Sequence, residues 1–209
     1  MQKNNIVFLI RAYNESSRIV GVIESIFAKW FTEILVVDDG SSDGTGELLA
    51  RAFDRPIHMV RHIVNRGGWA ALETGFEYIR RNASKNNWDF VVTFDADGQH
   101  DIADIGLFIS AFESDDMLDV IFGSRFITKT RSNVPFFRRI VLWGGKIFTR
   151  IISGINLTDS HNGYRMMRAH VLDEVHLTMD GMEYASELID QIYMRGFIYK
   201  EVPVNIHYD

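Results

Sequence analysis

The chain has 209 residues, of which 46% are hydrophobic and 24% are charged, and this composition is that of a globular protein of one domain. Its formal net charge of −6 argues against a general nucleic-acid-binding protein, and the absence of cysteine excludes disulfides, thiolate metal sites and a cysteine nucleophile. It has no signal-peptide pattern and no uncharged apolar run near the roughly 20 residues that span a bilayer, so we expect a protein that is soluble or lies on a membrane surface.

Short runs typical of strands alternate with longer patterns typical of helices. Strands are predicted at 6–10, 33–37, 57–62, 90–94 and 119–123, with helices between them at 16–29, 43–53, 67–84 and 102–112. Further along, the patterns predict helices at 134–153 and 181–195 and a strand at 198–204. This alternation predicts an α/β fold with a mostly parallel, Rossmann-like sheet flanked by helices.

Polar clusters follow four of the predicted strands, at 11–15, 38–44, 95–97 and 123–125. In a parallel sheet these strand ends share one edge, which is where such sheets bind ligands. Each cluster also has a simpler interpretation. The segment 38–44 (Asp-Asp-Gly-Ser-Ser-Asp-Gly), for example, is equally typical of a turn followed by a helix N-cap. The prediction of a site therefore depends on the convergence of the clusters.

The acid pair Asp95 and Asp97 ends the apolar strand predicted at 90–94. Alternate residues of a strand point the same way, so the two carboxylates would project together, which is costly unless a cation lies between them. Oxygen ligands favour Mg²⁺ or Mn²⁺ over zinc, and Gln99 could add a third oxygen. The alternative is a solvated turn.

Two glycines, Gly67 and Gly68, open the helix predicted at 67–84. Paired glycines there let the backbone approach a ligand, and the helix dipole favours an anion, although a flexible turn has the same composition. Ala71 and Gly75, four residues apart, are better explained by close helix packing than by binding.

One combination of motifs resembles a known family. Its parts cover nearly the whole chain: Ala12-Tyr13-Asn14-Glu15, 36–45 (VVDDGSSDGT), Asn65-x-Gly67, 95–100 (DADGQH), Gly123-Ser124-Arg125, 159–165 (DSHNGYR) and Val202-Pro203-Val204. In these residues the chain resembles the family 2 glycosyltransferases of GT-A fold, and within them the polyprenyl-phosphate, dolichol-phosphate mannose synthase-like branch.

The resemblance implies a single GT-A catalytic domain over 1–209, with a nucleotide-sugar half at about 1–125 and an acceptor-side half at about 126–209. It implies inverting transfer of a sugar from a UDP- or GDP-sugar, assisted by Mg²⁺ or Mn²⁺, to an undecaprenyl or dolichyl phosphate. Such an enzyme would be cytoplasmic and peripheral on the cytoplasmic face of a membrane. Nucleic acid is not an expected partner, and the sequence does not predict the oligomeric state.

The resemblance also implies residue roles. The donor would be bound by Ala12, Tyr13, Glu15, Asp38, Asp39, Gly67, Asp95, Ala96 and Asp97. The metal would be held by Asp95, Asp97 and Gln99. Arg125 and Arg138 would reach phosphate groups, and Asp159 would lie near the acceptor.

Three features depart from the family pattern. Arg11 stands where the family often has proline, so the base pocket is expected to differ. Asp101 and Ile102 stand where prolines often follow the Gln-His pair. The chain stops at Asp209, where the family usually continues with a basic segment, so we expect either a catalytic core trimmed from a longer protein or a short member.

The acceptor determines whether a general base is needed. A lipid phosphate is already anionic and needs none, whereas a sugar hydroxyl would need one, for which Asp159 is the candidate. Asp159 could instead be an N-cap or turn residue, and His161 is better explained as a loop residue than as a base.

A basic segment lies between Asp119 and Asp159 and contains no acidic residue. Its basic residues are Arg125, Lys129, Arg131, Arg138, Arg139, Lys146 and Arg150. On a helix, several of them and Trp143 would share one stripe beside an apolar face, as in helices that lie in a membrane interface. A solvated face packed on the domain is the alternative.

Three other functions compete with this interpretation. A glycosyltransferase with a saccharide or protein hydroxyl acceptor would assign the basic segment to folding. A nucleotidyltransferase would favour a glycine-rich basic loop after the first strand, where this chain has Tyr13, Asn14 and Glu15. A non-catalytic nucleotide-binding scaffold is the third alternative.

Overall fold

The structure is a computed structural model that describes residues 1–127, 157–181 and 183–207. In this part of the chain seven strands form one sheet. They are β1 (Ile6–Ala12), β2 (Glu33–Asp38), β3 (His58–Arg61), β4 (Phe90–Asp95), β5 (Val120–Ser124), β6 (Arg165–Arg168) and β7 (Tyr199–Pro203). The helices are α1 (Ile19–Ala28), α2 (Thr45–Ala52), α3 (Gly68–Asn86), α4 (Ile105–Ser114), α5 (Val171–Glu174) and α6 (Tyr184–Met194).

The order of strands in the sheet is β3-β2-β1-β4-β6-β5-β7. Strand β6 is antiparallel to β4 and β5, and every other pairing is parallel. The prediction of a mostly parallel α/β sheet is therefore confirmed. Since β1, β2, β4 and β5 run the same way, the four polar clusters do lie at one edge of the sheet.

The structure differs from the predicted elements at β6 and at the helix predicted over 102–112, and it adds the short helix α5. Strand β6 was not predicted, because its four residues, Arg-Met-Met-Arg, show no alternation of apolar and polar residues. The helix predicted at 102–112 is divided into a 3₁₀ turn (Ile102–Asp104) and α4, and the Asp101 carboxylate caps this turn by accepting from the Ala103 amide at 2.8 Å. The helix predicted at 134–153 lies outside the described residues.

The core lies on both faces of the sheet. On one face, Ile6, Phe8 and Ile10 of β1 pack in a cluster with buried residues of α1 and α4. On the other face, Val7 and Leu9 pack in a cluster with residues of α3 and α6. A parallel strand covered on both faces is apolar throughout, which explains the continuous apolar run of β1. No helix among the described residues is long and apolar enough to cross a membrane.

Helix α3 approaches β1 closely at Gly75. A Cβ atom added there would lie 2.3 Å from the Leu9 Cδ1 atom, which supports the interpretation of Gly75 as a packing residue. We therefore expect Gly75→Ala to lower the free energy of unfolding by about 1–3 kcal/mol through overpacking. Urea denaturation measures this change.

The matched control is Gly21→Ala in α1, because a Cβ atom added at Gly21 meets nothing within 4 Å. Alanine there should stabilise the helix by roughly 0.5–1 kcal/mol. Equal effects of the two substitutions would show that α3 is free to move away from β1.

Candidate active site

The carboxyl ends of β1, β2 and β4 surround a pocket of about 260 Å³, called here the edge pocket. Of the residues predicted to bind the donor, all except Asp38 line it. They are joined by Arg11, Asn65, Gly68 and Ala71. Residues that are far apart in the sequence are thus brought together by the parallel arrangement of the strands.

The loops after β1 and β2 are held to each other by hydrogen bonds. Asn14, with a φ of 56°, receives the Ser42 amide on its Oδ1 atom at 2.9 Å, and its own amide donates to Ser41 Oγ at 2.9 Å. Asp43 accepts from the Thr45 amide at 3.0 Å and the Ser16 amide at 2.9 Å. The N-cap position of α2 is Gly44, and the carboxylate of Asp43, one residue earlier, accepts from the first amide of the helix. These contacts hold the two loops beside the edge pocket.

Asp38 does not reach the edge pocket. Its side chain is fully buried, its Oδ1 atom accepts from the Ser41 amide at 3.0 Å, and its Oδ2 atom lies 3.1 Å from Arg61 Nε. Asp38 therefore holds the loop after β2 and does not line the edge pocket, and its predicted contact with the donor stays a prediction.

Asp39 is the acidic residue of this loop that lines the edge pocket. Its Oδ1 atom accepts from His62 Nδ1 at 2.6 Å and from the Arg66 amide at 2.9 Å, and its Oδ2 atom accepts from the Gly67 amide at 2.8 Å. Two amides at the start of α3 are thus bound to an internal carboxylate. Since a carboxylate oxygen can accept two bonds, Asp39 Oδ2 can still accept one from a ligand.

Arg11 and Asp95 form an ion pair at the floor of the edge pocket. They are register neighbours on β1 and β4, and Arg11 Nη2 donates to Asp95 Oδ1. Arg11 Nη1 also donates to the Tyr184 hydroxyl at 2.7 Å and, at 3.4 Å, to the carbonyl of Gly68. The cation that the sequence requires beside the acid pair is therefore supplied in part by the protein itself.

The charges around Asp95 shift several pKa values. Burial opposes ionisation of Asp95, but Arg11 and His100 outweigh it and lower the pKa of Asp95 below its usual value. Burial lowers the pKa of His100, against the attraction of Asp95. Burial, aided by the like charge of Arg11, also lowers the pKa of Arg165 to about 10. Asp95 is therefore ionised and surrounded by cationic or neutral donors.

The loop that precedes β6 packs directly on Asp95. A Cβ atom added at Gly163 would lie 2.5 Å from Asp95 Oδ2, and Thr93 Oγ1 donates to the Gly163 carbonyl at 2.6 Å. This loop therefore leaves Asp95 little freedom to move on that side.

Asp97 lies in the turn after β4 and borders two pockets. It lines the edge pocket and a neighbouring pocket of about 500 Å³ that also contains Arg18, His100 and His207. Its Oδ1 atom accepts from the Gln99 amide at 2.9 Å. Asp97 is half-buried, as Asp95 is, but among the described residues no basic side chain forms an ion pair with it, so it is the carboxylate of the pair that Arg11 leaves without a bound cation.

The donor set fits a metal that is completed by a ligand. No group of three or more His, Cys, Asp and Glu side chains suited to a metal occurs among the described residues, and Gln99 does not line the edge pocket. Mg²⁺ is commonly held by one or two carboxylates together with substrate phosphates. Asp95 and Asp97 form such a pair once the hydrogen bond from Arg11 to Asp95 is broken.

Arg125 and Asp159 form a second buried ion pair, outside the edge pocket. Arg125 Nε and Nη2 each donate to one Asp159 oxygen at 2.7 Å, and the Arg125 amide donates to Asp159 Oδ2 at 3.1 Å. The Asp159 amide donates to Glu201 Oε1 at 3.2 Å, which ties this loop to β7. Both carboxylate oxygens of the predicted base therefore accept from the guanidinium of Arg125.

The remaining sequence-based assignments are placed as follows. His161 is exposed and lies 3.0 Å from Ser160 Oγ through its Nδ1 atom, as expected of a loop residue. Arg138, predicted to reach a phosphate, and the basic residues from Lys129 to Arg150 lie outside the described residues. Their predicted roles stay predictions.

Sequence reasoning missed the residues that surround Asp95. In the sequence Arg11 is only a departure from the family pattern, and its place beside Asp95 follows from the register of β1 against β4 in the folded chain. Arg165 belongs to the 159–165 motif but received no role; its Nε atom is buried without a hydrogen-bond partner among the described residues. No spacing in the sequence indicates that Tyr184 would bind Arg11.

An α/β sheet with an acidic pocket at the carboxyl ends of its parallel strands is the arrangement of a GT-A glycosyltransferase. Residues 8–176 match the family described as glycosyl transferase family 2. The chain belongs to this family, and it is a glycosyltransferase.

Three known proteins illustrate the relationship. The chain is 33% identical to the undecaprenyl-phosphate mannosyltransferase of Micrococcus luteus, over 70% of this chain and 58% of that protein. It is 30% identical to the polyprenol monophosphomannose synthase of Mycolicibacterium smegmatis, over 94% of this chain and 75% of that protein. These relatives confirm the resemblance to the polyprenyl-phosphate branch.

The fold is also that of a solved glycosyltransferase. Glucosyl-3-phosphoglycerate synthase from Mycobacterium tuberculosis, in complex with Mn²⁺, UDP-glucose and phosphoglyceric acid, superposes with a TM-score of 0.68 at 16% identity. The match covers 98% of this chain and 71% of that chain. The prediction of a GT-A fold is thereby confirmed.

Proposed function

We propose that this glycosyltransferase moves a sugar from a UDP- or GDP-sugar to a polyprenyl phosphate, with inversion and with the help of Mg²⁺ or Mn²⁺. The assignment of the donor is supported by the convergence of Asp39, Asp95 and Asp97 on one pocket at the edge of the sheet. The assignment of the acceptor is supported by the relatives, which are named undecaprenyl-phosphate mannosyltransferase and polyprenol monophosphomannose synthase.

The nucleoside end of the donor is assigned to the side of the edge pocket near β1 and β2. Tyr13 is 47% exposed and offers a ring face on which a base can stack. Asp39 Oδ2 retains the capacity to accept an N–H from a base or a hydroxyl from ribose. Uracil and guanine both present such a donor, so this contact is compatible with UDP- and GDP-sugars alike.

The diphosphate end is assigned to the side near β4. A divalent cation held by Asp95 and Asp97 would neutralise the charge that develops on the leaving nucleoside diphosphate. Arg11 lines the same pocket, and its guanidinium can bind a phosphate oxygen by a charge-assisted hydrogen bond. The sugar would then point toward the loop that carries Gly163 and Asp159.

An anionic acceptor is also consistent with the state of Asp159. Both oxygens of Asp159 accept from Arg125, so a proton taken up by this carboxylate would neutralise the partner of a shielded guanidinium. A phosphate acceptor requires no such step, because it arrives deprotonated. The ion pair of Asp159 with Arg125 therefore favours a lipid phosphate over a hydroxyl group as the acceptor.

The acceptor-side half, from about residue 126 onward, would meet the membrane. The proposal of a membrane surface is supported by the basic residues between Lys129 and Arg150, which would be attracted to anionic lipids by about 1 kcal/mol each. The nucleotide-sugar half, up to about residue 125, would supply the edge pocket.

The direct test is a transfer assay. The protein is incubated with each of a panel of UDP- and GDP-sugars, Mn²⁺ or Mg²⁺, and undecaprenyl or dolichyl phosphate in vesicles, and glycolipid is measured by mass spectrometry. We expect one donor class to give a glycosyl-phosphate lipid, and chelation of the metal to stop its formation.

Three outcomes would contradict parts of the proposal. Transfer to a soluble sugar or a protein hydroxyl, with no lipid product, would refute the acceptor. Full activity in the presence of EDTA would refute the metal. Absence of binding to both UDP and GDP, measured by calorimetry, would refute the donor and favour a non-catalytic scaffold.

A further inference from the structure

Arg11 is paired with Asp95, one of the two carboxylates that would hold the proposed metal ion. Its side chain is 17% exposed and that of Asp95 is 26% exposed, so their ion pair is largely shielded from water. Asp95 is one of the two carboxylates that line the edge pocket near β4. A metal that binds both Asp95 and Asp97 therefore competes with the guanidinium for the same carboxylate.

Arg11 is also held by a residue of α6. Tyr184, at the start of α6, accepts from Arg11 Nη1 at 2.7 Å, and the guanidinium lies 5.6 Å from the centre of the tyrosine ring. These contacts hold Arg11 between β4 and α6 independently of Asp95. They supply an anchor that can be weakened without removing the charge.

We infer that Arg11 competes with the metal for Asp95. When a nucleoside diphosphate binds, Arg11 leaves Asp95 and contacts the phosphate groups of the nucleotide. This inference rests on the proposed function. The diphosphate offers the guanidinium a new anionic partner in the same pocket, and Asp95 is then available to the cation. Nucleotide and metal should therefore each raise the affinity for the other, because coupling between two sites is reciprocal.

The test is a titration of the nucleotide-free protein with Mn²⁺, in which the electron paramagnetic resonance signal of free Mn²⁺ measures how much metal is bound. Arg11→Met removes the charge without adding an oxygen ligand. An adjacent charge shifts the proton affinity of a carboxylate by about 10- to 1000-fold, so we expect this variant to bind Mn²⁺ at least about tenfold more tightly than the wild type. With UDP or GDP present, the difference in Mn²⁺ affinity between Arg11→Met and the wild type should become smaller.

Tyr184→Phe is the second variant, because it keeps Arg11 and loses one hydrogen bond that holds it. It should raise the Mn²⁺ affinity by roughly two- to tenfold, the equivalent of one net hydrogen bond. Arg81→Met is the matched control: Arg81 lies on α3, its side chain is 75% exposed, and its loss changes the net charge equally. It should leave the Mn²⁺ affinity unchanged.

Thermal melting establishes that each variant is folded. The decisive comparison is made without nucleotide. If Arg11→Met is folded and binds Mn²⁺ no more tightly than the wild type, the inference is wrong. If Arg11→Met does not fold, the same result for Tyr184→Phe shows that the inference is wrong. A merely structural Arg11 would give that result. Failure of every protein to bind UDP or GDP would instead refute the proposed donor, and the Mn²⁺ titration would still decide the role of Arg11.

Discussion

Asp97→Ala is expected to abolish the metal dependence of nucleotide binding and to lower the rate of transfer by about 10²–10³-fold, with little change in stability. The rate loss is that of removing one electrostatic contact to a developing charge. Asp97 is half-buried and its carboxylate makes one hydrogen bond within the described residues, to the Gln99 amide. The stability cost should therefore be about 0.5–1.5 kcal/mol.

Asp97 is a better test of the edge pocket than Asp95. Replacement of Asp95 would leave the shielded guanidinium of Arg11 without its carboxylate, and breaking a buried ion pair costs about 3–5 kcal/mol. A loss of activity in that variant would not separate metal binding from unfolding. The turn residue Asp97 has no such pair among the described residues.

Asp115→Ala is the matched control. Asp115 accepts from the Met117 amide at 3.0 Å, two residues ahead, just as Asp97 accepts from the Gln99 amide at 2.9 Å. Asp115 lies between α4 and β5, at the opposite edge of the sheet. Calorimetry with UDP and GDP, with and without Mn²⁺, should separate the two variants, and equal metal dependence in Asp97→Ala and the wild type would contradict the assignment.

The general location of the edge pocket could be predicted from the sequence because it depends on topology alone. Alternating strands and helices give parallel strands, and parallel strands bring their polar ends to one edge. The sequence does not indicate the direction in which each side chain points. Asp38 and Asp39 are adjacent, so their side chains point to different sides, and nothing in the sequence indicates that Asp39 is the one in the pocket.

The ionic partners required information that only the folded chain supplies. Arg11 and Asp95 are 84 residues apart, and their contact depends on the register of β1 against β4. Two carboxylates one residue apart do need a cation, but without the register the sequence cannot indicate that Arg11 supplies part of that charge. Strand β6, which sets the position of the Gly163 loop, forms from a short segment whose pairing with β4 and β5 is tertiary.

Arg125 and Asp159 provide the second large expected effect, on stability. The Asp159 side chain is 2% exposed and that of Arg125 is 17% exposed, so Arg125→Ala leaves a buried carboxylate without its partner. We expect a loss of about 3–5 kcal/mol in the free energy of unfolding, measured with urea. The double variant Arg125→Ala/Asp159→Ala should be more stable than Arg125→Ala alone, because it removes the unpaired charge.

The same three variants, assayed for the rate of transfer below the melting temperature of each so that only folded protein is compared, distinguish a paired role of Asp159 from that of a general base. If Asp159 acts only by positioning Arg125, each single variant should lose about 10²–10³-fold and the double variant no more, because residues that act as a unit are not additive. If Asp159 is an independent general base, the two losses should multiply to about 10⁴–10⁶-fold. Multiplied losses would favour a hydroxyl acceptor, whereas equal losses would agree with a phosphate that needs no base.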